Sequence, residues 1–192
     1  MTGFYLTGHA AADQLLSQDP NAVLIGMVLD QQVTMEKAFT GPAVIAERMG
    51  GRFDVAAIAA ADPEAFAALC AKPPAVHRFP GSMAGRVQAV CQVLVRDWGG
   101  EASAMYASAG TGEELKRLIT SLPGFGEQKA SIFVALLGKR FGVTPPGWRD
   151  AAGGYGRPGT FVSVADIVDA DSLQMVREAK RLAKAQARAA HS

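Results

Sequence analysis

The sequence predicts an all-α protein, and three observations support that prediction. Apolar residues recur at helical spacing on both sides of a short glycine-containing turn at residues 122–126. Residues 22–35 are apolar on nearly every side of a helix until polar residues begin at Asp30, which is typical of a helix at the centre of a domain. Residues 171–190 place their basic residues on one helical face. Only residues 161–168 have the apolar character of a strand.

Length and composition are those of a soluble globular protein. The 192 residues are 49% hydrophobic, enough to bury a sizeable core in one large domain or two small lobes. No apolar run approaches the length of a membrane span, and residues 1–5 lack the basic and long apolar regions of a signal peptide. We therefore expect a cytoplasmic protein with no membrane partner.

Charge and cysteine content limit the partners and cofactors. The formal net charge is +1, which argues against a uniformly basic coat for nucleic acid, so any DNA contact must be local. The 2 cysteines, Cys70 and Cys91, are too few for a four-cysteine iron–sulfur cluster or a closed zinc site. Both lie in apolar helical patterns, which favours buried reduced thiols. We expect no metal and no cofactor.

The most informative stretch is residues 122–130, Leu-Pro-Gly-Phe-Gly-Glu-Gln-Lys-Ala, between two helical segments. Pro123 cannot continue the first helix, while Gly124 and Gly126 can adopt positive φ and let another molecule approach the backbone. The amides of residues 125–128 open the second helix, where unpaired N–H groups and the helix dipole favour an anion. A DNA phosphate is such an anion. A plain glycine-rich connection between helices is the alternative.

Two glutamines stand where the apolar segment ends. The change from apolar to polar residues at Asp30 predicts that the buried helix reaches a surface there, with Gln31 and Gln32 at its end. These glutamines either cap a core helix or contact a ligand.

Together the two motifs resemble the helix-hairpin-helix DNA glycosylase superfamily (HhH-GPD). The usual hairpin of that family reads Leu-Pro-Gly-Val-Gly, two variable residues, a small residue and Ala, and its other landmark is an apolar helix ending in Ser-Gln-Gln-Thr or a variant. The resemblance spans roughly residues 22–150. It implies one domain over residues 1–192 with two helical lobes, DNA bound across the cleft between them, a hairpin at residues 115–138 and no iron–sulfur extension. The basic helix at residues 171–190 would follow.

The resemblance also implies the DNA contacts. The hairpin would hold phosphates through Gly124, Phe125, Gly126, Gln128 and Lys129. Gln32, or Gln31, would enter the base stack where a base has been extruded and bond its orphaned partner.

The loop at residues 73–83 offers further candidates for DNA contact. An exposed Arg78, or Arg86 shortly after the loop, could contact phosphate, and His77 or Phe79 could stack on a base. Equally, Phe79 could belong to the core and His77 could be a hydrogen-bonded loop residue. Ser82 is predicted to cap the helix that follows.

Hydrolysis of an N-glycosidic bond requires a carboxylate near the anomeric carbon, to stabilise positive charge and orient water. The resemblance implies an aspartate after a loop that contains glycine and proline. Counted from Gly126, its place falls on Pro146, and the nearest carboxylate is Asp150. Asp166 is the second candidate if the glycine-rich run is an insertion. Each could instead be a helix cap or a surface acid.

Two absences refine the expected activity. Lyase-active relatives carry a lysine two places after the last glycine of the hairpin, where this chain has Gln128. Lys129 is one residue further along, a rotation of about 100° on a helix, so it should point elsewhere and no Schiff-base step is expected. Adenine-removing relatives carry a glutamate where this chain has Met27, so that mechanism is not expected either.

The sequence therefore predicts a monofunctional DNA glycosylase that acts as a monomer on a flipped damaged or mismatched base in double-stranded DNA. The alternative is a catalytically inactive module of the same fold that recognises damaged or distorted DNA. A third hypothesis, an unrelated helical interaction protein, predicts no salt-sensitive DNA affinity.

Overall fold

The computed structural model describes residues 4–190 of the chain. Its secondary structure in that range consists of α-helices and two 3-10 turns, Gly153–Gly156 and Val164–Asp166. The helices are α1 Ala10–Gln18, α2 Pro20–Leu29, α3 Met35–Arg48, α4 Val55–Ala60, α5 Pro63–Ala71, α6 Pro80–Trp98, α7 Ala102–Ser108, α8 Gly112–Thr120, α9 Glu127–Arg140, α10 Trp148–Ala151 and α11 Ala170–Ala189. The all-α prediction is confirmed. Within the described range no helix is both long and apolar enough to cross a bilayer.

Helix α2 lies in the core, as its apolar sequence predicts. Its residues 22–29 are all buried, and it packs against α1, α3, α6 and α7. The Asp19 carboxylate caps its start by accepting hydrogen bonds from two N–H groups of the first turn. Gly26 lets α3 approach closely, because a Cβ at that position would lie 2.6 Å from the Phe39 ring. A helix without a polar face is thus stabilised by packing on every side.

Two further groups of helices complete the core. Helix α6 packs against α4 and α5, whereas α9 packs against α8, α10 and both 3-10 turns. Buried side chains from both groups join one hydrophobic cluster. Cys70 and Cys91 are buried in it as free thiols, as predicted. The division into two lobes within one domain stays a prediction.

Helix α6 begins earlier than the sequence predicts. Ser82 does not cap it, because the helix starts at Pro80 and Ser82 lies inside its first turn. Proline suits the first helical position, since its φ is already helical and it has no N–H that would need a partner. Phe79 stands at the cap position without a side-chain hydrogen bond.

The segment at residues 161–168 is not a strand. Its centre forms the 3-10 turn Val164–Asp166, in which the Ser163 hydroxyl accepts a hydrogen bond from the N–H of Ala165. The Asp166 carboxylate accepts in return from the N–H of Ser163 at 3.1 Å. Reciprocal capping of this kind offers the backbone local hydrogen bonds in place of a strand ladder.

Candidate nucleic-acid interface

The turn between α8 and α9 presents unpaired backbone amides. Leu122 and Phe125 anchor the turn in the core, at 3% and 8% exposure, and Gly124 adopts a φ of 85°. Gly126 occupies the cap position of α9, and no side chain of the described residues caps that helix. The N–H groups of residues 127–129 therefore lack intrahelical partners at the positive end of the helix dipole. Such an end can bind an anion. The predicted set of unpaired amides is wrong at Phe125, whose N–H donates a hydrogen bond to the Leu122 carbonyl at 3.2 Å.

A cleft of about 530 Å³ adjoins the start of α9. Its walls come from the C-terminal end of α2, the first turns of α9, the 3-10 turn at Tyr155 and the middle of α11. The lining residues are Met27, Asp30, Gln31, Gln32, Val33, Gln128, Lys129, Ile132, Tyr155, Val162, Ala179, Lys180 and Ala183. The fold therefore brings the two glutamines and the hairpin's second helix to one cavity.

Lys129 lies in this cleft, contrary to the expectation that it points elsewhere. Both it and Gln128 line the cavity. The Lys129 ammonium donates a hydrogen bond to the Val28 carbonyl at 3.1 Å and lies 5.7 Å from the centre of the Phe125 ring. A flexible side chain can reach back from its helix to an unpaired carbonyl at the end of another, so a rotation of about 100° does not keep Lys129 out of the cleft. Burial lowers the pKa of Lys129 to about 8, and the nearby Asp30 opposes that shift.

Asp30 also lines the cleft, although it is not among the site residues predicted from the sequence. It stands at the C-cap of α2 and is half-buried. Burial raises the pKa of its carboxyl, against the opposing effect of Lys180 and Lys129, and Glu36 raises it further. The sequence feature that indicates Asp30 is the abrupt change from apolar to polar residues at this position, because it marks where a core helix reaches a surface.

Gln31 and Gln32 differ in their environment. Gln31 is half-buried, its backbone carbonyl oxygen lies 2.8 Å from the His77 Nε2, and its side-chain amide donates to the Met83 sulfur at 2.9 Å. Gln32 is exposed and adopts a φ of 55°, unlike any other non-glycine residue in the described range. An unusual left-handed backbone thus presents the Gln32 side chain to solvent beside the cleft.

The loop that precedes α6 borders the same surface. His77 is 2% exposed, and its Nδ1 accepts a hydrogen bond from the N–H of Phe79 at 3.0 Å. His77 is therefore a buried, hydrogen-bonded loop residue and not an exposed ring that could stack on a base. Phe79 is 44% exposed and so is not a core residue, and the exposed Arg78 guanidinium lies 5.2 Å from the centre of its ring. Gln31, Gln32, Phe79 and Arg86 line one small depression of about 190 Å³.

Neither of the predicted catalytic carboxylates lines the cleft. Asp150 is exposed on α10 and borders a separate depression with Arg149 and Arg157. Asp166 is 8% exposed and forms an ion pair with Lys139 at 2.6 Å. Asp166 also accepts hydrogen bonds from two backbone N–H groups, so both of its oxygens are engaged.

The basic face of α11 is divided among several roles. Arg177 pairs with Glu36 on α3 at 2.5 Å, and Arg181 pairs with Glu178 on its own helix at 2.6 Å. Lys180 lines the cleft. The face is therefore not a uniform stripe of unpaired charge, and Lys180 alone joins it to the cavity.

Comparison of the chain with known protein families gave a match. The family model for HhH-GPD superfamily base excision DNA repair proteins matches residues 25–191, which include the hairpin and every residue of the cleft. Neither the comparison with curated proteins nor the comparison with solved structures gave a match.

Proposed function

Because the chain belongs to the HhH-GPD superfamily of base excision DNA repair proteins, we propose that it is a monofunctional DNA glycosylase. It would hydrolyse the N-glycosidic bond of a flipped damaged or mismatched base in double-stranded DNA, as a monomer without a cofactor. Family membership itself gives the coarser part, a DNA-binding base excision repair protein with a glycosylase-type role. The finer part rests on the surface around the cleft.

The observation that carries the proposal is the adjacency of three features. Exposed Gln32, the uncapped start of α9 and a cavity of about 530 Å³ share one side of the molecule. Ligand cavities of roughly 300–1,000 Å³ hold small organic molecules, so a nucleobase with its sugar fits. Met27, Val33 and Ile132 supply apolar wall, and Tyr155 supplies an aromatic ring. A flipped base is commonly read in such a pocket, by stacking and by hydrogen bonds to its edge.

Phosphate binding by the hairpin would fix the duplex beside that cavity. Gly124, Phe125 and Gly126 shape the turn, and the amides at Gln128 and Lys129 are directed to the anion. Arg86 lies against the turn, since a Cβ on Gly124 would be 3.4 Å from its side chain. Glu127 is held by Lys116 in an ion pair at 3.0 Å, which offsets its charge near the anion site.

Gln32 would fill the space that the flipped base leaves. The side chain of Gln31 is engaged with Met83, whereas that of Gln32 is exposed. Gln32 is therefore the better candidate for insertion. Arg78, exposed in the neighbouring loop, would contact the backbone of the same duplex.

The position of Lys129 favours a second candidate activity, cleavage of the strand through a Schiff base. A pKa of about 8 leaves a fraction of its amine neutral near neutral pH. Reduction with borohydride during turnover separates the two activities. The monofunctional proposal expects no covalent protein–DNA adduct, whereas an adduct that is lost in Lys129→Gln would assign the lyase step.

The proposal is tested by incubating the protein with duplexes that each carry one lesion or mismatch and cleaving abasic products with alkali. Release of one class of base would establish the glycosylase. Asp150→Asn and Asp166→Asn, tested beside the parent chain, examine the predicted catalytic carboxylates. Salt-sensitive duplex binding without release of any base would instead assign a catalytically inactive DNA-recognition module.

A further inference from the structure

We propose that Asp30 is the catalytic carboxylate of the cleft, the group that contacts the anomeric carbon and the attacking water. This inference rests on the proposed glycosylase function and names a residue for it. Among the described residues that line the cavity, Asp30 is the only acid. Asp150 lies outside the cavity, and Asp166 is engaged with Lys139 and backbone amides.

The Asp30 carboxylate is available for a ligand. Within residues 4–190 it forms no hydrogen bond and no ion pair closer than 4.0 Å, although it is half-buried. The nearby ammonium group of Lys129 is directed to the Val28 carbonyl instead. A carboxylate that is partly desolvated without a fixed partner keeps both oxygens free for water or substrate.

The position of Asp30 is unfavourable for folding and suitable for catalysis. It stands at the C-cap of α2, where the helix dipole already concentrates negative potential. An acid at that end destabilises the helix, and burial adds to the penalty. The same negative potential stabilises the positive charge that develops on the sugar as the base departs. Lys129, Lys180 and Glu36 are the charged groups that face Asp30 from α9, α11 and α3, and the two lysines favour its ionised form.

The step that Asp30 would assist is hydrolysis with one water molecule. The bond between C1′ and the base nitrogen breaks, and its electron pair leaves with the base, which takes a proton from solvent. The water oxygen forms a bond to C1′ as Asp30 accepts the proton that the water loses. Asp30 then returns this proton to solvent, and the products are the free base and an abasic sugar.

The experiment compares single-turnover base release by the parent, Asp30→Asn and Asp30→Glu on the lesion that the parent processes best. Loss of general-base and electrostatic assistance should lower the rate of Asp30→Asn by at least about 100-fold. Asp30→Glu should recover part of the loss. Affinity for a duplex with a tetrahydrofuran abasic analogue should be unchanged or higher in Asp30→Asn, because a negative charge near DNA is removed.

Asp171→Asn is the matched control, since it removes an exposed carboxylate on α11 that does not line the cavity. It should keep the parent rate within about threefold, well below the 100-fold expected for a catalytic acid or base. If Asp30→Asn releases the base at the same rate as the parent, the catalytic role of Asp30 is wrong, but the proposed glycosylase function still stands. Absence of base release by the parent on every lesion would overturn the proposed function and this inference with it.

Discussion

The Lys129 ammonium lies 3.1 Å from the Val28 carbonyl oxygen, so the second helix of the hairpin is tied to the C-terminal end of the core helix. These residues are 101 positions apart in the chain. The contact connects the turn between α8 and α9 with the turn that presents Gln31 and Gln32. Through it, the proposed phosphate site and the proposed base cavity would keep a fixed relation.

Lys129→Met should weaken duplex binding and alter its pH dependence. The ammonium is charged below its pKa of about 8, so its attraction for phosphate is present there and is lost as pH rises through that value. Affinity of the parent should therefore fall between about pH 7 and about pH 9, whereas that of Lys129→Met should change little. Titrations at several salt concentrations should show a slope smaller by about 1 in the variant. Equal pH dependence in both proteins would remove Lys129 from the phosphate site.

Gly126→Asp should weaken DNA binding without destabilising the fold. A Cβ on Gly126 meets no atom within 4 Å, and its φ of −103° is accessible to any residue. Aspartate there would cap α9 and leave stability unchanged or higher by a few tenths of a kcal/mol. The same carboxylate would occupy the anion site and repel phosphate, so duplex affinity should fall by about tenfold or more.

Gly126→Asn is the matched control for this substitution. It can cap the helix through its side-chain oxygen but adds no charge. Fluorescence anisotropy with a labelled duplex should rank affinity as parent, then Gly126→Asn, then Gly126→Asp. Equal affinity of the two variants would show that charge at this turn does not matter for binding.

Gln32→Ala should impair base flipping without unfolding the protein. The exposed side chain makes no hydrogen bond within the described residues, so its loss affects the core little. Removing the group that fills the vacated stack should weaken the flipped complex by about 1–3 kcal/mol. The fluorescence of 2-aminopurine opposite or beside the lesion reports unstacking and should rise less with the variant. Gln92→Ala, a substitution on α6 away from the cleft, should match the parent.

The hairpin could be predicted from sequence because its determinants are local. Proline and two glycines within five residues of chain define a turn whatever surrounds it, and Gly124 does adopt positive φ. The direction of Lys129 and the availability of Asp30 depend on how α2 and α9 meet. Those contacts come from residues far apart in the chain, so a count of positions along one helix could not give them. Contacts between distant residues also decide which carboxylate can reach a substrate, so the catalytic role of Asp150 stays a prediction.

Asp166→Asn should destabilise the fold, which must be considered in any test of its catalytic role. The Asp166 and Lys139 side chains are 3% and 14% exposed, and their atoms are 2.6 Å apart. Removing one charge of a buried pair leaves the other uncompensated, a loss of about 3–5 kcal/mol. Chemical denaturation should show this loss. If stability is unchanged, the pair does not hold the 3-10 turn in place, and a loss of activity in this variant would then indicate a direct role.

Asp30→Asn should behave in the opposite way and stabilise the protein near neutral pH. Burial raises the pKa of Asp30 in the folded state above its ordinary value of 3.8, so folding disfavours the ionised form. The folded state binds more protons than the unfolded state between these two pKa values, and stability falls as pH rises through them. The substitution removes that penalty and also the negative charge at the C-terminal end of α2. The gain in the free energy of unfolding from Asp30→Asn should therefore be present above the folded-state pKa and should disappear as pH falls towards 3.8.

Denaturation curves of both proteins across this pH range, with the exposed Asp150→Asn as control, measure this gain. A variant that is less stable than the parent at neutral pH would mean that Asp30 has a stabilising partner in the folded protein, and the view of Asp30 as a group kept for catalysis at the expense of stability would be wrong.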